Sequence, residues 1–473
     1  FPYTTLFRST PLVIDSTFLF DSKKIIKERI IPWEGLARSG VVSEDDANHI
    51  KLLEKQSIEN RNNTVKAQLD LYSKCLLNVL NRVDSKDDVL KNILALINDL
   101  LLDVPEFLDA VLKLSEVDKS LPYIPFINHL DNKDNLIKSL SLYNLEILLG
   151  KVKTINDDEI LIKIFSVLSY LIGESADSNY QFIGVQLLQD LLIVKPFKLV
   201  YQNNNLLTNF KPINNLIEKL AKNPNSIGLQ LSYNVLLVVW VLSYTAPINR
   251  SLIHNFPQLV GNLLSIAKDS IKLKIVRVAV AILKNFVDIT ISSQEQFKVI
   301  KVLLFSDALN TVNTLKERKF ASNGSDEELS NDLNYLYDNL QEIVTQKLTS
   351  FDEYLTELEN PKLISWASPT HKSTEFWLEN SGKFKDSNYK LVKRIFEILI
   401  SNTNDSTTIN VILLNDLQFL IKNLGKDLIT FINTEKGGQY KLLIMTFLDN
   451  SQGDNELKYQ ALKTIQLLVG HNF

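Results

Sequence analysis

The stretch Asp454–Gly470, DNELKYQALKTIQLLVG, decides the fold. Its apolar residues Leu457, Ala461, Ile465 and Leu468 recur every three or four positions, the spacing that draws one stripe along an α-helix. Lys458 and Lys463 fall off that stripe, as a half-buried helix requires. Asp454 stands where a carboxylate can accept the first unpaired N–H groups, and Gly470 stands at the exit. The pattern repeats upstream. Ser325 and Glu328 read as a capping box ahead of Leu329, Leu333, Leu336, Leu340 and Ile343. Tyr389, Val392, Phe396 and Leu399 stripe a third helix, with Lys390, Lys393, Arg394 and Glu397 mostly outside. Ser226–Tyr244 is apolar almost all round from Val235. It predicts a central helix covered on several sides and stopped near Pro247.

Composition agrees with helices throughout. Gly (14) and Pro (13) are scarce in 473 residues, whereas β proteins spend both on turns. Strand signals are weak: Phe297–Phe305 is partly β-branched but sits among helical periods, and Asn323–Gly324 reads as a loop. Paired helices and short polar turns over hundreds of residues predict an all-α chain, a HEAT- or armadillo-like α-solenoid of roughly ten units. A non-repeating helical bundle is the alternative. Val117–Asn135, with Pro122 and Pro125, reads as an inter-repeat turn. The rhythm breaks after Leu348. Ser350 and Glu353 make a second capping box, and Asn360–Asn380 mixes turn residues with Trp366 and Trp377. An inter-domain joint is therefore expected at Thr349, Ser350 and Phe351. It separates an N-terminal solenoid (11–349) from a smaller C-terminal armadillo-like domain (350–473). Residues 1–10 bear no relation to the helical pattern of the other residues and read as a non-native leader.

Charge and chemistry exclude several classes. Acidic residues number 55 and basic residues 51, so no basic excess points to nucleic acid. Cys75 is the only cysteine, which rules out an internal disulfide and a multi-cysteine metal site. Its apolar neighbours predict a buried thiol and a cytosolic setting. The longest apolar run, Val235–Leu242, falls short of the ~18–20 residues of a membrane span. The five histidines (His49, His129, His254, His371, His471) are scattered without ligand spacing. No P-loop, dinucleotide fingerprint or nucleophile elbow occurs. Gly437–Gly438 reads as a turn. The acid pairs Asp45–Asp46 and Asp157–Asp158 precede apolar-periodic segments, where helix N-termini favour them. No catalytic, cofactor or metal site is expected. Lys268, Lys272, Lys274 and Arg277 form a basic run, either a solvated helix face or a surface for an anionic partner. Trp366 and Trp377 either plug a domain seam or anchor an interface.

Thr349–Lys390 reads TSFDEYLTELENPKLISWASPTHKSTEFWLENSGKFKDSNYK. This resembles the regulatory H subunit of the vacuolar-type proton ATPase (V-ATPase), in its fungal branch. The matching positions are Leu348 through Tyr354, Leu363, Trp366, Ser368, Pro369, His371, Phe376, Trp377, Phe384 and Asn388–Lys390. Ala367 departs from the family's Ser or Thr after Trp. Lys316–Phe320, Ser325–Leu329, Asp15–Thr17, Trp33–Ser39, Gly228–Tyr233 with Trp240, Leu414–Leu417, Gly437–Gly438, Ile444–Met445 and Lys458–Lys463 also resemble the family in order and spacing.

The resemblance implies a non-catalytic regulatory subunit on the cytosolic face of a vacuolar or endosomal membrane. Its N-terminal domain would meet the peripheral stalk subunits E and G. Its C-terminal domain would meet the cytosolic domain of subunit a. In the free peripheral sector the C-terminal domain would restrain ATP hydrolysis through the catalytic head or central rotor. The family's inhibitory loop corresponds to 402–408, shorter here than in relatives. Asn402, Asn404, Asp405 and Thr408 therefore join Trp366 and Trp377 as candidate interface residues. A helical-repeat adaptor of membrane or nuclear transport is the rival reading. The regular Trp/Asn ladder of an importin groove is missing, with only Trp33, Trp240, Trp366 and Trp377 in the chain.

Overall fold

The computed structural model describes residues 11–83, 86–155, 157–173, 177–318, 326–345, 350–366, 368–401, 407–449 and 454–470. Every regular element among them is helical. They divide into two compact units, Phe1–Asn249 with Asn262–Ile289, and Arg250–Gly261 with Thr290–Phe473. The joint expected at Thr349–Phe351 falls inside the second unit. Thr349 lies outside the described residues, as do Ser325 and Asn323–Gly324.

The first unit is organised by six helices, each packed on the next: α1 (Thr17–Glu28), α2 (Asp87–Asp103), α3 (Asn135–Val152), α4 (Ser178–Ile193), α5 (Leu229–Leu242) and α6 (Leu273–Asp288). Peripheral helices such as Asp158–Gly173 and Leu206–Lys222 cover this ladder. The central position of α5 follows from its sequence. Val235–Leu242 is buried at every position, because α4, α6 and Leu206–Lys222 all pack on it. Burying each of those large aliphatic side chains contributes about 1.5–3 kcal/mol. Pro247 opens the next helix, Ala246–Asn255, because a missing N–H costs nothing in a first turn. Phe297–Phe305 lies in the helix Ser293–Phe305.

Two glycines let helices approach closely. A Cβ on Gly184 would stand 3.0 Å from Ile172 Cγ1, and one on Gly173 would stand 3.0 Å from Pro212 Cγ. Polar side chains cross the ladder where they are paired. Asn98 Nδ2 donates to Asn144 Oδ1 at 3.0 Å, and Asn144 Nδ2 donates to the Leu94 carbonyl at 3.1 Å. Lys23 Nζ donates to Asn98 Oδ1 at 2.7 Å. These bonds fix the register of α1, α2 and α3, since buried amides left unpaired are costly.

In the second unit the helix Glu327–Thr345 buries Leu329, Leu333, Leu336, Leu340 and Ile343, the stripe read from the sequence. Asp326 Oδ1 accepts from the Leu329 N–H at 3.1 Å and so caps its start. Beyond it come α7 (Ser350–Glu359), α8 (Thr407–Leu424), α9 (Gln439–Asp449) and α10 (Asn455–Gly470). Asp454 caps α10 through the Glu456 and Leu457 N–H groups, at 3.0 and 3.1 Å. One expectation is corrected. Tyr389 does not ride the regular stripe of its helix: Ser387, Asn388 and Tyr389 all have φ between 51° and 56°. Three successive non-glycine residues in the left-handed region form a strained turn. It swings Tyr389 onto Phe431, with ring centroids 4.4 Å apart.

Candidate functional site

Two features stand out, one in each unit. In the first, the C-terminal ends of α2, α3, α4 and α5 border a groove of about 870 Å³. Leu101, Ile147, Val194 and Trp240 give it an apolar wall, with Trp240 set edge-on to Tyr244 at 5.2 Å. Lys151, Lys153, Lys195 and Lys198 stand around it with Glu146 and Asp190. Lys198 Nζ donates to the Val241 carbonyl at 3.1 Å. Burial, and then Lys195 nearby, lower its pKa. The segment beginning at Pro11 closes one side. Tyr143 accepts from the Ile14 N–H at 3.1 Å and donates to the Leu12 carbonyl at 2.7 Å. The groove has the volume of an ordinary ligand cleft, with an apolar wall and charged side chains around it.

In the second unit four polar side chains converge inside an aromatic shell. His371 is fully buried. Its Nδ1 lies 2.9 Å from Asp416 Oδ2, and its Nε2 lies 2.8 Å from Glu357 Oε2. Tyr354 donates to Asp416 Oδ2 at 3.0 Å, and Asn415 Nδ2 donates to the His371 carbonyl at 2.8 Å. Burial pulls the imidazolium down, but Asp416 and Glu357 outweigh it and hold the pKa up, at about 9. Burial raises the carboxyl of Asp416, and the imidazolium against it opposes that. The shell is Tyr354, Phe376, Trp377 and Phe384.

Acid, base and acid in a row have the look of a proton relay. The surroundings decide otherwise. Both ring nitrogens face carboxylates, and His371 and Asp416 have no solvent access. A general base must reach a proton on its substrate, and none can enter here. The cluster is a pin that ties α7, the irregular segment 361–385 and α8 together. Sequence reading misses it, because His371 is only one of several scattered histidines. The available signal is Asp416 itself, a carboxylate inside the apolar run Val411–Leu420, where burial demands a partner.

Trp377 is fully buried, stacked on Phe419 at 5.9 Å, so of its two readings the core one describes it. Trp366 is half-buried, with Lys372 Nζ 5.4 Å over its ring. Thr408 is exposed in the first turn of α8, whereas Asn402, Asn404 and Asp405 lie outside the described residues. Ser350 begins α7. Phe351 is half-buried, 6.0 Å from Phe384, with Lys383 Nζ 4.2 Å over its ring. In the basic run Lys268 and Lys272 are exposed, Arg277 is half-buried, and Lys274 Nζ lies 4.8 Å over Tyr233. Cys75 is buried, and burial pushes its thiol far up. Among the described residues no group of His, Cys, Asp and Glu is placed to hold a metal ion. No helix among them is long and apolar enough to cross a membrane.

Comparison with known proteins accounts for both halves of the chain. One family model, described as the H subunit of the V-ATPase, matches residues 17–340, and a second with the same description matches 347–473. The chain is similar to the V-type proton ATPase H subunit of Dictyostelium discoideum, 26% identical over 95% of this chain and 94% of that one. It is 27% identical to the V-type proton ATPase H subunit of Drosophila melanogaster, over 95% of this chain and 89% of that one. A probable V-type proton ATPase H subunit of Caenorhabditis elegans, its form 2, is 25% identical, over 93% and 89%. The chain, read through both of its halves, belongs to the V-ATPase H subunit family.

Proposed function

We propose that this chain is a non-catalytic regulatory subunit of the vacuolar-type proton ATPase. One observation carries the reading: the two H subunit family models match in order and without overlap, 17–340 and then 347–473. The finer parts of the proposal are those that the resemblance to the family implies. The groove of the first unit takes a segment of the peripheral stalk, made of subunits E and G. The C-terminal part docks on the cytosolic domain of subunit a in the assembled pump. In the free peripheral sector it meets the catalytic head or central rotor instead and restrains ATP hydrolysis. Trp366 and the start of α8 at Thr408, with Asn402, Asn404 and Asp405 before it, are the proposed contact region. The work is done at the cytosolic face of a vacuolar or endosomal membrane.

Such a subunit needs a joint that turns at small cost, and we place it at Thr349–Phe351. The ion pairs across it are weak. Lys298 pairs with Glu359 at 3.3 Å and Lys301 with Asp352 at 3.9 Å, and three of these four side chains are more than 40% exposed. Exposed pairs of this kind contribute about 0–1 kcal/mol each. Contacts of that strength can be exchanged for others when two states differ by a few kcal/mol.

Two experiments test this. Expressed in fungal cells lacking their own H subunit, the chain should restore vacuolar acidification and co-purify with subunits E and G. Failure of both in a well-expressed, folded protein overturns the reading. A crosslink between cysteines placed at Lys301 and Asp352 should leave assembly intact while changing pump coupling or inhibition of the free sector. If neither moves, the joint is elsewhere.

A further inference from the structure

The first unit carries a second surface, at the N-terminal ends of α5 and α6, whereas the groove lies at the C-terminal end of α5. The loop 223–228 leads into α5, and the loop 270–272 leads into α6. Because α5 and α6 pack side by side, the two loops are neighbours. Lys274 joins them: its Nζ donates to Gln230 Oε1 at 3.4 Å and lies over the Tyr233 ring. Three aliphatic side chains project there. Ile271 is 87% exposed, Leu229 42% and Leu273 38%. Lys222 at the end of Leu206–Lys222, together with Lys268 and Lys272, is exposed around them, and Lys219 stands one turn before Lys222. Asp269 is the one acidic residue in 219–230 and 268–277, which hold six basic residues. The whole chain is net negative at −4, so this edge is a local reversal of sign.

We infer that this edge docks on the surface of an anionic lipid bilayer, with Ile271 entering the headgroup layer and the lysines meeting lipid phosphates. Shape as well as charge favours a bilayer. A specific protein interface needs roughly 800 Å² of fitted surface on each side. Ile271 is carried on the short loop 270–272, and the less exposed Leu229 and Leu273 begin α5 and α6 beside it. A headgroup layer accepts an isolated projecting aliphatic, lysine stems can lie along its apolar margin, and each lysine is drawn to the negative surface potential. The attraction is electrostatic in origin and weakens as salt rises. This goes beyond the proposed role in the pump and does not depend on it.

The test uses the full-length protein and sedimenting vesicles of phosphatidylcholine, with or without phosphatidylserine. The wild type should bind the mixed vesicles, release on added salt, and leave pure phosphatidylcholine vesicles unbound. Ile271→Asp, and separately Lys222→Glu with Lys272→Glu, should each weaken partition at least about tenfold. All these positions are exposed, so thermal midpoints should match the wild type and separate lost binding from lost folding. Absence of binding to mixed vesicles overturns the proposal, as does equal binding to neutral ones, or full binding by both variants. Retention on immobilised polyglutamate but not on vesicles, lost in the variants, would assign the edge to an acidic protein and overturn the bilayer.

Discussion

Replacing His371 by leucine is expected to destabilise the C-terminal part of the chain by about 3–5 kcal/mol. The reason is what the substitution leaves behind. Asp416 is fully buried and Glu357 nearly so, and both point at the imidazole. Without it two carboxylates face each other in an apolar shell, and at least one must take up a proton or draw in water. Hydrogen exchange resolves the effect by segment: protection should fall in peptides from 354–359, 369–385 and 407–424, with little change in α2 to α5. A second variant shows whether the charges or the lost ring volume are responsible. Adding Asp416→Leu to His371→Leu should cost clearly less than the sum of the single changes, because the two groups form one unit. Simple additivity would mean that the cluster is not coupled.

The same cluster sets a pH dependence whose sign is fixed. His371 has a folded-state pKa of about 9, above the ~6.5 of an unfolded chain. Its contribution is fully present below pH ~6.5 and is lost as pH rises through about 9. The shift corresponds to something on the order of 3 kcal/mol across that window. Stability of the second unit should therefore fall from neutral toward alkaline pH. His371→Gln should flatten that slope while lowering the plateau. A wild-type profile flat from pH 6.5 to 9 would show that the imidazole is neutral when folded.

The helices are legible from sequence and their partnerships are not. Leu329, Leu333, Leu336, Leu340 and Ile343 announce a buried stripe by spacing alone, and all five are buried. Val235–Leu242 announces a helix covered on several sides, and three helices pack on it. In these cases local period and tertiary burial are the same information. The ladder α1 to α6 is different. Its neighbouring helices start 43 to 70 residues apart and share no copied sequence, so nothing local says that Asn98 will meet Asn144. The His371 cluster is harder still. Its members come from a helix, a 3₁₀ turn and another helix spread over residues 354 to 416, and only packing brings them together. Tyr389 departs from expectation for a third reason. Its apolar ring matches the helical stripe, but the left-handed turn at 387–389 carries no glycine to signal it.

Removing Asp99 is the second change with a large expected effect, and it tests whether the first helix of the ladder is held by charge. Asp99, on α2, has 12% of its side chain exposed. It meets Lys23 Nζ at 2.6 Å, Arg61 Nη1 at 3.5 Å, and Lys27 in close contact. Burial alone would raise its pKa, but Lys23 and Lys27 outweigh burial and hold it below the usual carboxylate range. Burial in turn lowers Lys23. Asp99→Leu would leave three cations without the carboxylate they share, with Asp103, 3.0 Å from Arg61, as a remaining counter-charge. The expected cost is about 3–5 kcal/mol, read as lost exchange protection in α1. Since Asp99 is lowered in the folded state, its stabilisation is present above pH ~3.9 and is lost as pH falls through the folded value. The fair control is Asp88→Asn, on the same helix, whose partner Arg29 is exposed. That exposed pair should contribute about 0–1 kcal/mol. The comparison keeps the helix and sets a buried carboxylate with three cations against an exposed one with a single partner. If Asp99→Leu costs no more than Asp88→Asn, α1 is held by Leu19 and Ile26 in the core, and the charges beside it are ornament on a hydrophobic contact.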